Sequence, residues 1–437
     1  MTAPALAGLL DDLRWRGLVH ATSDGLAERL ATGEPIRAYN GFDPSFRSLH
    51  AGNLIPIFGL LRLQRRGGQP IALVGGATGL VGDPSGRSAE RILLDRSAVA
   101  ANVHALREQL SRFLDFSPGP TQAILVDNLD WLGDVRLLDF LRDVGKHFPI
   151  PYMLEKDSVQ TRLDRGLTFT EFSYMLLQAA DFLHLYRSYG VELQCGGADQ
   201  WGNITAGLEL IRRVEGPRRR GVGAELAHGL VYPLLLSPSG AKFGKSESGD
   251  SIWLDPALTS PYRFYQYWLD TDDRDVGVYL RWLTLFDRAR IEELEAEQAA
   301  APELRPAQRA LARDITARTH GRAAAERVIR VSEILFGGDP AGADEDTLAD
   351  LAREIPSAPW PDGSEPDAVD VLVAAGAARS RGEARRLVEQ GGVQVNGRAV
   401  RDVAARFGEG DLLAGRYLLV RRGKREFRLL VRRGGTG

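Results

Sequence analysis

Short apolar runs of strand length, each stopped by a Gly, Asp, Asn or Pro-containing turn, recur at 36–42, 69–74, 123–126, 191–195 and 228–236. Three of them lead into helical text. Residues 54–66 are an apolar run with basic residues, closed by Gly67-Gly68; 132–146 reads as a helix; and a helix opens after Gly196 and continues to about Val214. Buried strands alternating with helices build a parallel sheet, so an α/β fold is expected. In such a sheet ligands bind outside the carboxyl ends of the strands, where helix N-termini point backbone N–H groups into a crevice. Two stretches take that position. One is YNGFDPSFRSLHAGN, residues 39–53, which puts His50, Gly52 and Asn53 on the first turn of a helix after a strand. The other is GGADQWGN, residues 196–203, with Asp199 and Gln200 at the turn. An ordinary strand–turn–helix with one incidental histidine reads the first stretch equally well.

At 437 residues the chain calls for two or three domains, and 44% hydrophobic with 26% charged residues is globular composition. No apolar run approaches the ~20 residues that span a bilayer, and the N-terminus lacks a basic region followed by an apolar core. Neither export nor membrane insertion is expected. Cys195 is the only cysteine, so no intrachain disulfide can form, which fits a reducing cytosol and a cytoplasmic location. The seven histidines are scattered and offer no metal-ligand cluster. The net charge of −3 is uneven: from Pro366 onward 15 Lys and Arg face 8 Asp and Glu, while the preceding residues hold 40 against 50. A basic tail on an acidic body points to an anionic partner, nucleic acid first, or to a solvated surface that uses arginine.

Three further segments carry polar chemistry. GGATGLVGDPSGRS, residues 75–88, lets backbone approach a ligand closely, yet it is neither GxxxxGK[ST] nor GxGxxG. Asp83 in its tight turn is a fixed carboxylate suited to an ammonium group, or simply the turn-forming Asp before a proline. In TFTEFSYMLLQAADFLHLY, residues 168–186, Thr170 can cap a helix whose Phe172, Met175, Leu176, Ala179, Phe182 and Leu183 form a packing face. Tyr174, Gln178 and Asp181 fall at i, i+4 and i+7, one polar stripe along it. Lys, Glu or Arg usually fill a solvent-facing stripe; Tyr, Gln and Asp in a line read as pocket-lining hydrogen-bonding groups. SPSGAKFGKSESGD, residues 237–250, sets Lys242 and Lys245 in a Gly/Ser loop suited to transient contact with a polyphosphate, or exposed without a ligand.

The remaining text organises the chain. Residues 4–30 read as two short helices, the second capped by Thr22 or Ser23. From 261 to 336 the text is helical, with stops at Gly321 and Gly337-Gly338. IPSAPWPDGSEP, 355–366, reads as a linker. Residues 367–400 give two short helices and a strand–turn, and 416–431 supply two more strands.

HAGN after a strand, with KFGKS in a loop about 190 residues later, resembles the two ATP-site motifs of class I aminoacyl-tRNA synthetases. With YNGFDPSFRSLHAGNL, ALVGGATGLVGDPSGR, FTEFSYMLLQAADF and LQCGGADQWGNITAGLELI, the chain resembles the bacterial tyrosyl-tRNA synthetases, densely over 36–260 and loosely over the helical region. The tail from 367 is similar to S4-type RNA-binding domains. The resemblance implies a Rossmann-like parallel-sheet catalytic domain over 1–255, an α-helical anticodon-binding domain over 256–352, a linker over 353–366 and a small α+β S4-like domain over 367–437.

It implies roles as well. Tyr39 and Asp181 match the pair that hydrogen-bonds the phenolic hydroxyl of L-tyrosine. Asp83, Tyr174 and Gln178 match the residues that hold its α-ammonium, and Gln200 a contact near its carboxylate. Asp43 and Ser45 fall at the ATP site, and Asn40, Gly41, Gly197 and Asp199 near the adenylate ribose. His50, Asn53, Lys242 and Lys245 match the groups that stabilise the separating phosphates, and Arg87 and Arg91 mobile basic positions that hold pyrophosphate. ATP with Mg²⁺ is then a substrate, with no tightly bound cofactor and no dedicated metal site. tRNA(Tyr) is the partner, with Arg379, Arg381, Arg385 and Arg386 on its phosphates. A homodimer is expected with 137–148 and Phe169 near its interface.

Asn53 stands where His is commoner in the family, Asn40 where Cys is frequent, Ser45 where Thr is usual and Arg87 where Lys is frequent. Pro56 falls within the first helix, where it removes a backbone bond. Two other readings share parts of the pattern. The related tryptophan enzyme has the same ATP motifs, but Tyr39 and the Tyr174–Gln178–Asp181 stripe speak against it. An RNA-binding protein that kept the fold without activity is opposed by the completeness of both ATP motifs.

Overall fold

The apolar runs become strands because both faces of each are covered. β1 (Ala21–Thr22), β2 (Arg37–Phe42), β3 (Gln69–Val74), β4 (Ile124–Asp127), β5 (Leu193–Gly197) and β6 (His228–Tyr232) form one sheet in the order β1-β6-β5-β2-β3-β4. All neighbours are parallel except β1, which pairs antiparallel with β6. Every residue of β6 and all but the first of β3 are buried, the pattern of a sheet with helices on both sides. This computed structural model describes residues 6–83, 94–156, 159–160, 163, 166–216, 226–234, 251–361 and 365–432. They divide into two compact units, Met1–Thr259 with Leu269–Leu311 and Ser260–Trp268 with Ala312–Gly437.

The strand order locates the crevice. From β2 the chain moves outward through β3 to β4, then returns to the other side of β2 with β5 and β6. The carboxyl ends of β2 and β5 therefore flank a topological switch point. Tyr39 lies level with Ile71 on one side and Gln194 on the other.

Several helices differ from expectation. Ala51–Asn53 is a 3₁₀ turn that runs into α2 (Leu54–Arg65), preceded in the chain by α1 (Leu9–Trp15). Pro56 is the third residue of α2, within the first turn of an α-helix whose leading N–H groups have no intrahelical partner, so its loss there is small. Neither Thr22 nor Ser23 caps Leu26–Ala31: Gly25 precedes that helix, Thr22 lies in β1, and Ser23 Oγ accepts from Gly229 N at 3.0 Å. The expected helix over 132–146 is broken into Leu129–Leu132, Leu137–Asp143 and a 3₁₀ turn Gly145–His147, interrupted at Gly133. α3 (Phe169–Tyr189) is capped by Thr168, not Thr170: Thr168 Oγ1 accepts from Glu171 N and Glu171 Oε2 from Thr168 N, both at 3.3 Å. That start aims the polar stripe inward. α3 packs on α4 (Trp201–Glu215), with Phe182, Leu185, Ala206 and Leu210 fully buried in the shared core.

Two buried arginines tie the start of the chain to α5 (Asp273–Leu283). Arg62, on α2, places one guanidinium nitrogen 3.1, 2.7 and 2.7 Å from the carbonyl oxygens of Arg281, Trp282 and Thr284. Arg16, held by Asp12, reaches the carbonyls of Arg281 at 2.9 Å and Phe286 at 2.7 Å, and Trp282 Nε1 returns a bond to Arg16 O at 2.8 Å. A helix C-terminus leaves carbonyls unpaired and carries partial negative charge, so a cation is the natural cap.

In the second unit β7 (Ser357–Pro359), β8 (Val393–Val395), β9 (Arg398–Ala399), β10 (Tyr417–Arg422) and β11 (Glu426–Val431) form a sheet in the order β7-β11-β10-β8-β9. Part of the stretch read as a linker is thus a strand, parallel to β11. The β10–β11 hairpin serves two cores through its alternation. Leu418, Val420 and Leu430 face Val369, Leu372, Ala384 and Val388, while Tyr417, Leu419, Phe427 and Leu429 join Val331, Ile334, Leu348 and Leu351. Helices before the linker thus bury one face of the tail's hairpin, so no boundary between the two units falls at 366/367.

Replacing Arg62 by Met leaves buried carbonyls unpaired. We expect the larger unit to lose about 2–4 kcal/mol of stability, read as a lower melting transition in calorimetry; an unchanged transition would show that the cap contributes nothing.

Candidate active site

A cleft of about 680 Å³ opens at the carboxyl ends of β2 and β5. Tyr39, Asn40 and Gly41 enter it from β2, Asp43 and Ser45 from the following turn, and His50 and Asn53 from the start of α2. Asp83 comes from the glycine-rich loop, Tyr174, Gln178 and Asp181 from α3, and Gly197, Asp199 and Gln200 from the β5–α4 turn. Four separate stretches of sequence are brought to one cleft. Arg87, Arg91, Lys242 and Lys245 lie outside the described residues.

Burial sets the chemistry at the inner end. The Asp181 side chain is 2% exposed, and its donors among the described residues are neutral: Asn128 Nδ2 at 2.9 Å and Trp131 Nε1 at 2.7 Å. Desolvation pushes its carboxyl from 3.8 to about 7, against those two hydrogen bonds, and the charge of Asp127 adds to the rise. Burial, then the nearby Asp181 charge, raises the Tyr39 phenol well above 10. Tyr39 Oη is buried and has no hydrogen-bond partner among the described residues. A hydroxyl without a partner beside a carboxylate held by neutral donors is a receptor for a group that can both donate and accept. A phenolic O–H does both.

The support behind Asp181 comes from residues outside the motifs. Asn128, fully buried, also donates to Thr78 Oγ1 at 3.0 Å and accepts from Ala77 N at 2.8 Å. Asp127 Oδ1 accepts from Gly76 N at 3.0 Å, and a Cβ on Gly76 would sit 2.2 Å from that oxygen, so glycine is required there. Trp131 stacks on His184 with ring centroids 4.4 Å apart and planes at 10°, which fixes the indole as it donates. Gln194 on β5, 3% exposed with Oε1 unpaired, also lines the cleft. Asp127-Asn128 ends a strand, and Gln194 is a lone polar residue in a buried one; both patterns were available signals.

Along the wall Tyr174 Oη donates to Asp43 Oδ1 at 3.3 Å, and Gln200 Nε2 to Asp83 Oδ2 at 2.7 Å, while Gln200 Oε1 accepts from Asn203 Nδ2 at 3.2 Å. Burial, then the charge of Asp83, raises the Asp199 carboxyl. Three carboxylates with few cations among the described residues suit an ammonium and the hydroxyls of a sugar.

At the mouth His50 and Asn53 form a reciprocal cap. His50 Nδ1 accepts from Gly52 N at 3.0 Å, and Asn53 Oδ1 accepts from His50 N at 2.9 Å. The neutral imidazole then carries its proton on Nε2, and the Asn53 oxygen is committed, leaving its amide N–H groups as donors. A Cβ on Gly52 would meet the imidazole at 2.7 Å, so glycine permits the geometry. Two donors at a helix start make a site for anionic oxygens.

Comparisons place this geometry among known proteins. Residues 31–337 match the family "tRNA synthetases class I (W and Y)", and 347–430 match the "Tyrosine--tRNA ligase SYY-like C-terminal domain". The chain is 50% identical over 428 residues to a tyrosine–tRNA ligase of Roseiflexus castenholzii, covering 97% of this chain and 99% of that one. It is 51% identical over 429 residues to a tyrosine–tRNA ligase of Anaeromyxobacter dehalogenans, with the same coverage. Among solved structures, a C-terminally truncated mitochondrial tyrosyl-tRNA synthetase of Aspergillus nidulans aligns with a TM-score of 0.67 at 30% identity, covering 76% of this chain and 94% of that one.

The carboxyl of Asp181 titrates near 7 in the folded protein against 3.8 ordinarily, so its ionisation weakens the fold as pH rises between those values. Asp181→Asn should therefore melt higher than the parent at pH 8, with the gap closing toward pH 4. In the parent, kcat/KM for the phenolic substrate should fall as pH drops below about 7, where the acceptor is protonated. A pH-independent gap would place the titration elsewhere.

Proposed function

The chain belongs to the tyrosine–tRNA ligases, class I synthetases of the tyrosine and tryptophan family, and from that premise we propose how its residues divide the work. The reaction activates L-tyrosine with ATP to tyrosyl-adenylate and pyrophosphate, then transfers tyrosine to the terminal adenosine of tRNA(Tyr). In the first step the tyrosine carboxylate attacks the α-phosphate. No protein nucleophile is required, and the catalyst positions two substrates and stabilises growing negative charge.

The observation that carries the assignment of the tyrosine pocket is the unpartnered, buried Tyr39 hydroxyl beside Asp181. Tyr39 and Asp181 read the phenol, and phenylalanine would leave both unpaired. Asp83, Tyr174 and Gln178 hold the ammonium, with Gln200 near the carboxylate. Asn40, Gly41, Gly197 and Asp199 take the ribose side of ATP, and Asp43 and Ser45 orient the reactants. His50 Nε2 and Asn53 Nδ2 donate to phosphate oxygens, with Lys242, Lys245, Arg87 and Arg91 assigned to the same phosphates by motif. ATP enters with Mg²⁺ as its counter-ion, ligated mainly by phosphate and water. A cytoplasmic location fits these substrates.

For tRNA we assign anticodon binding to the helical region of 256–352 and phosphate contacts to the S4-like tail of 367–437. Arg379, Arg385 and Arg386 are exposed, and Arg385 and Arg386 pair with no acidic group among the described residues. Arg381 is held by Asp367 and Asp370, so its contribution is smaller. A homodimer accounts for Leu137, Leu138, Ile150 and Phe169, which are 70, 78, 57 and 78% exposed. Phe148, at the end of that segment, is buried in the core. Phe169→Asp with Leu138→Asp should sediment as a monomer, whereas a persistent dimer would place the interface elsewhere.

Purified protein should exchange pyrophosphate into ATP with tyrosine, and not with phenylalanine or tryptophan. Arg385→Glu with Arg386→Glu should leave exchange intact while raising KM for tRNA(Tyr) about tenfold, more steeply at low salt. Equal loss in both assays would remove the RNA role.

A further inference from the structure

An aromatic pair at the mouth of the cleft is not used by adenylate formation as described. Phe46 is 45% exposed although it lines a polar cavity, and its ring stacks on Trp253 with centroids 4.5 Å apart and planes at 26°. Trp253 meets the edge of His50 at 6.1 Å. The pair is held rigidly from below. His50 and Trp253 form an antiparallel bridge, Ala51 N donates to Ile252 O at 2.8 Å, Leu254 N to Leu49 O at 2.9 Å, and Trp253 N to Thr259 Oγ1 at 3.0 Å. Next to Phe46 in the chain, the Arg47 side chain is 53% exposed, with Nε 3.9 Å from Asp255.

We propose that Phe46, backed by Trp253, is a stacking platform for a base of the single-stranded 3′ end of tRNA, with Arg47 on an adjoining phosphate. The inference rests on the two-step reaction above, which requires that end to reach this same cleft. An exposed aromatic face beside a guanidinium is the usual equipment for single-stranded nucleic acid, because every base has a π-face and every linkage a charge. Among the described residues, the stack on Trp253 still leaves this large apolar ring 45% exposed at a polar mouth. ATP has its phosphates assigned to His50 and Asn53, so a further cation on the outer loop fits a polynucleotide, which brings phosphates beyond the pocket. The stack also reaches His50 through Trp253, linking an occupied platform to the residue that holds the reacting phosphate.

The test uses full-length protein in two assays, aminoacylation of tRNA(Tyr) and tyrosine-dependent ATP–pyrophosphate exchange. Phe46→Ala and Phe46→Leu should each raise KM for tRNA(Tyr) about tenfold, the size of one base–aromatic stack, and Phe46→Trp should restore it. KM for ATP in exchange should stay within about twofold for all three. A rise in KM for ATP with tRNA unaffected would assign the platform to the adenine of ATP and overturn the proposal. Leucine behaving like phenylalanine would reduce the residue to bulk packing and overturn it as well. Melting curves separate a folding defect in the alanine variant, and the leucine variant, which keeps the volume, carries the test in that case. Absence of tyrosine-dependent exchange in the parent protein would instead indict the reaction itself.

Discussion

The central constraint is the position of β2 between two parallel neighbours reached by opposite routes. Among the described strands, connections diverge to both sides at its carboxyl end, because β3 and β4 extend one way and β5 and β6 the other. A gap must open there. The polypeptide fills its edges with short turns and helix starts, whose backbone N–H groups and small polar side chains face inward. The Asp43–Asn53 segment and the Gly197–Trp201 segment occupy equivalent places on either side of that gap. Arg16 and Arg62 then hold α5 against the same body by its carbonyls.

Within the gap, charge is distributed by solvent access. Toward the closed end a carboxylate is kept in neutral company, so its proton affinity is high and its value lies in reading a hydroxyl. Asp83 and Asp199 share the middle of the wall with glutamine and tyrosine. At the mouth, where water still screens, His50 and Asn53 present donors. One cleft thus offers groups suited in turn to an uncharged phenol, a cation and an anion. The order follows from the depth at which each side chain's element meets the sheet, and the polar groups that line it are braced from behind by Asn128, Thr78 and the Trp131–His184 stack.

Local pattern was a good guide where the period was clean. The strands at 37–42 and 69–74, the helix from 54, and the polar stripe of Tyr174, Gln178 and Asp181 were legible because hydrophobic spacing and Gly punctuation agreed. Residues 132–146 were not, since three short helical pieces, parted at Gly133–Arg136 and at Val144, leave almost the same composition as one helix. Thr168 and Thr170 both precede the apolar run, and only the reciprocal bond from Glu171 decides between them. Ser357–Pro359 looked like linker text, since a three-residue edge strand has no period to detect; its pairing with β11 is a long-range fact.

The sequence by itself determined the α/β class, the helix start that carries His50 and Asn53, and most of the polar set lining the cleft, because each depends on neighbours within a turn or two. Tertiary structure alone decided that Asp181 would be buried with Asn128 and Trp131 donating to it, that Gln194 would line the same cleft, and that Phe46 would stack on Trp253. It also decided that one hairpin of the tail would close two cores. Those outcomes depend on which segments, far apart in the chain, exclude water from each other, and desolvation has no signature in local spacing.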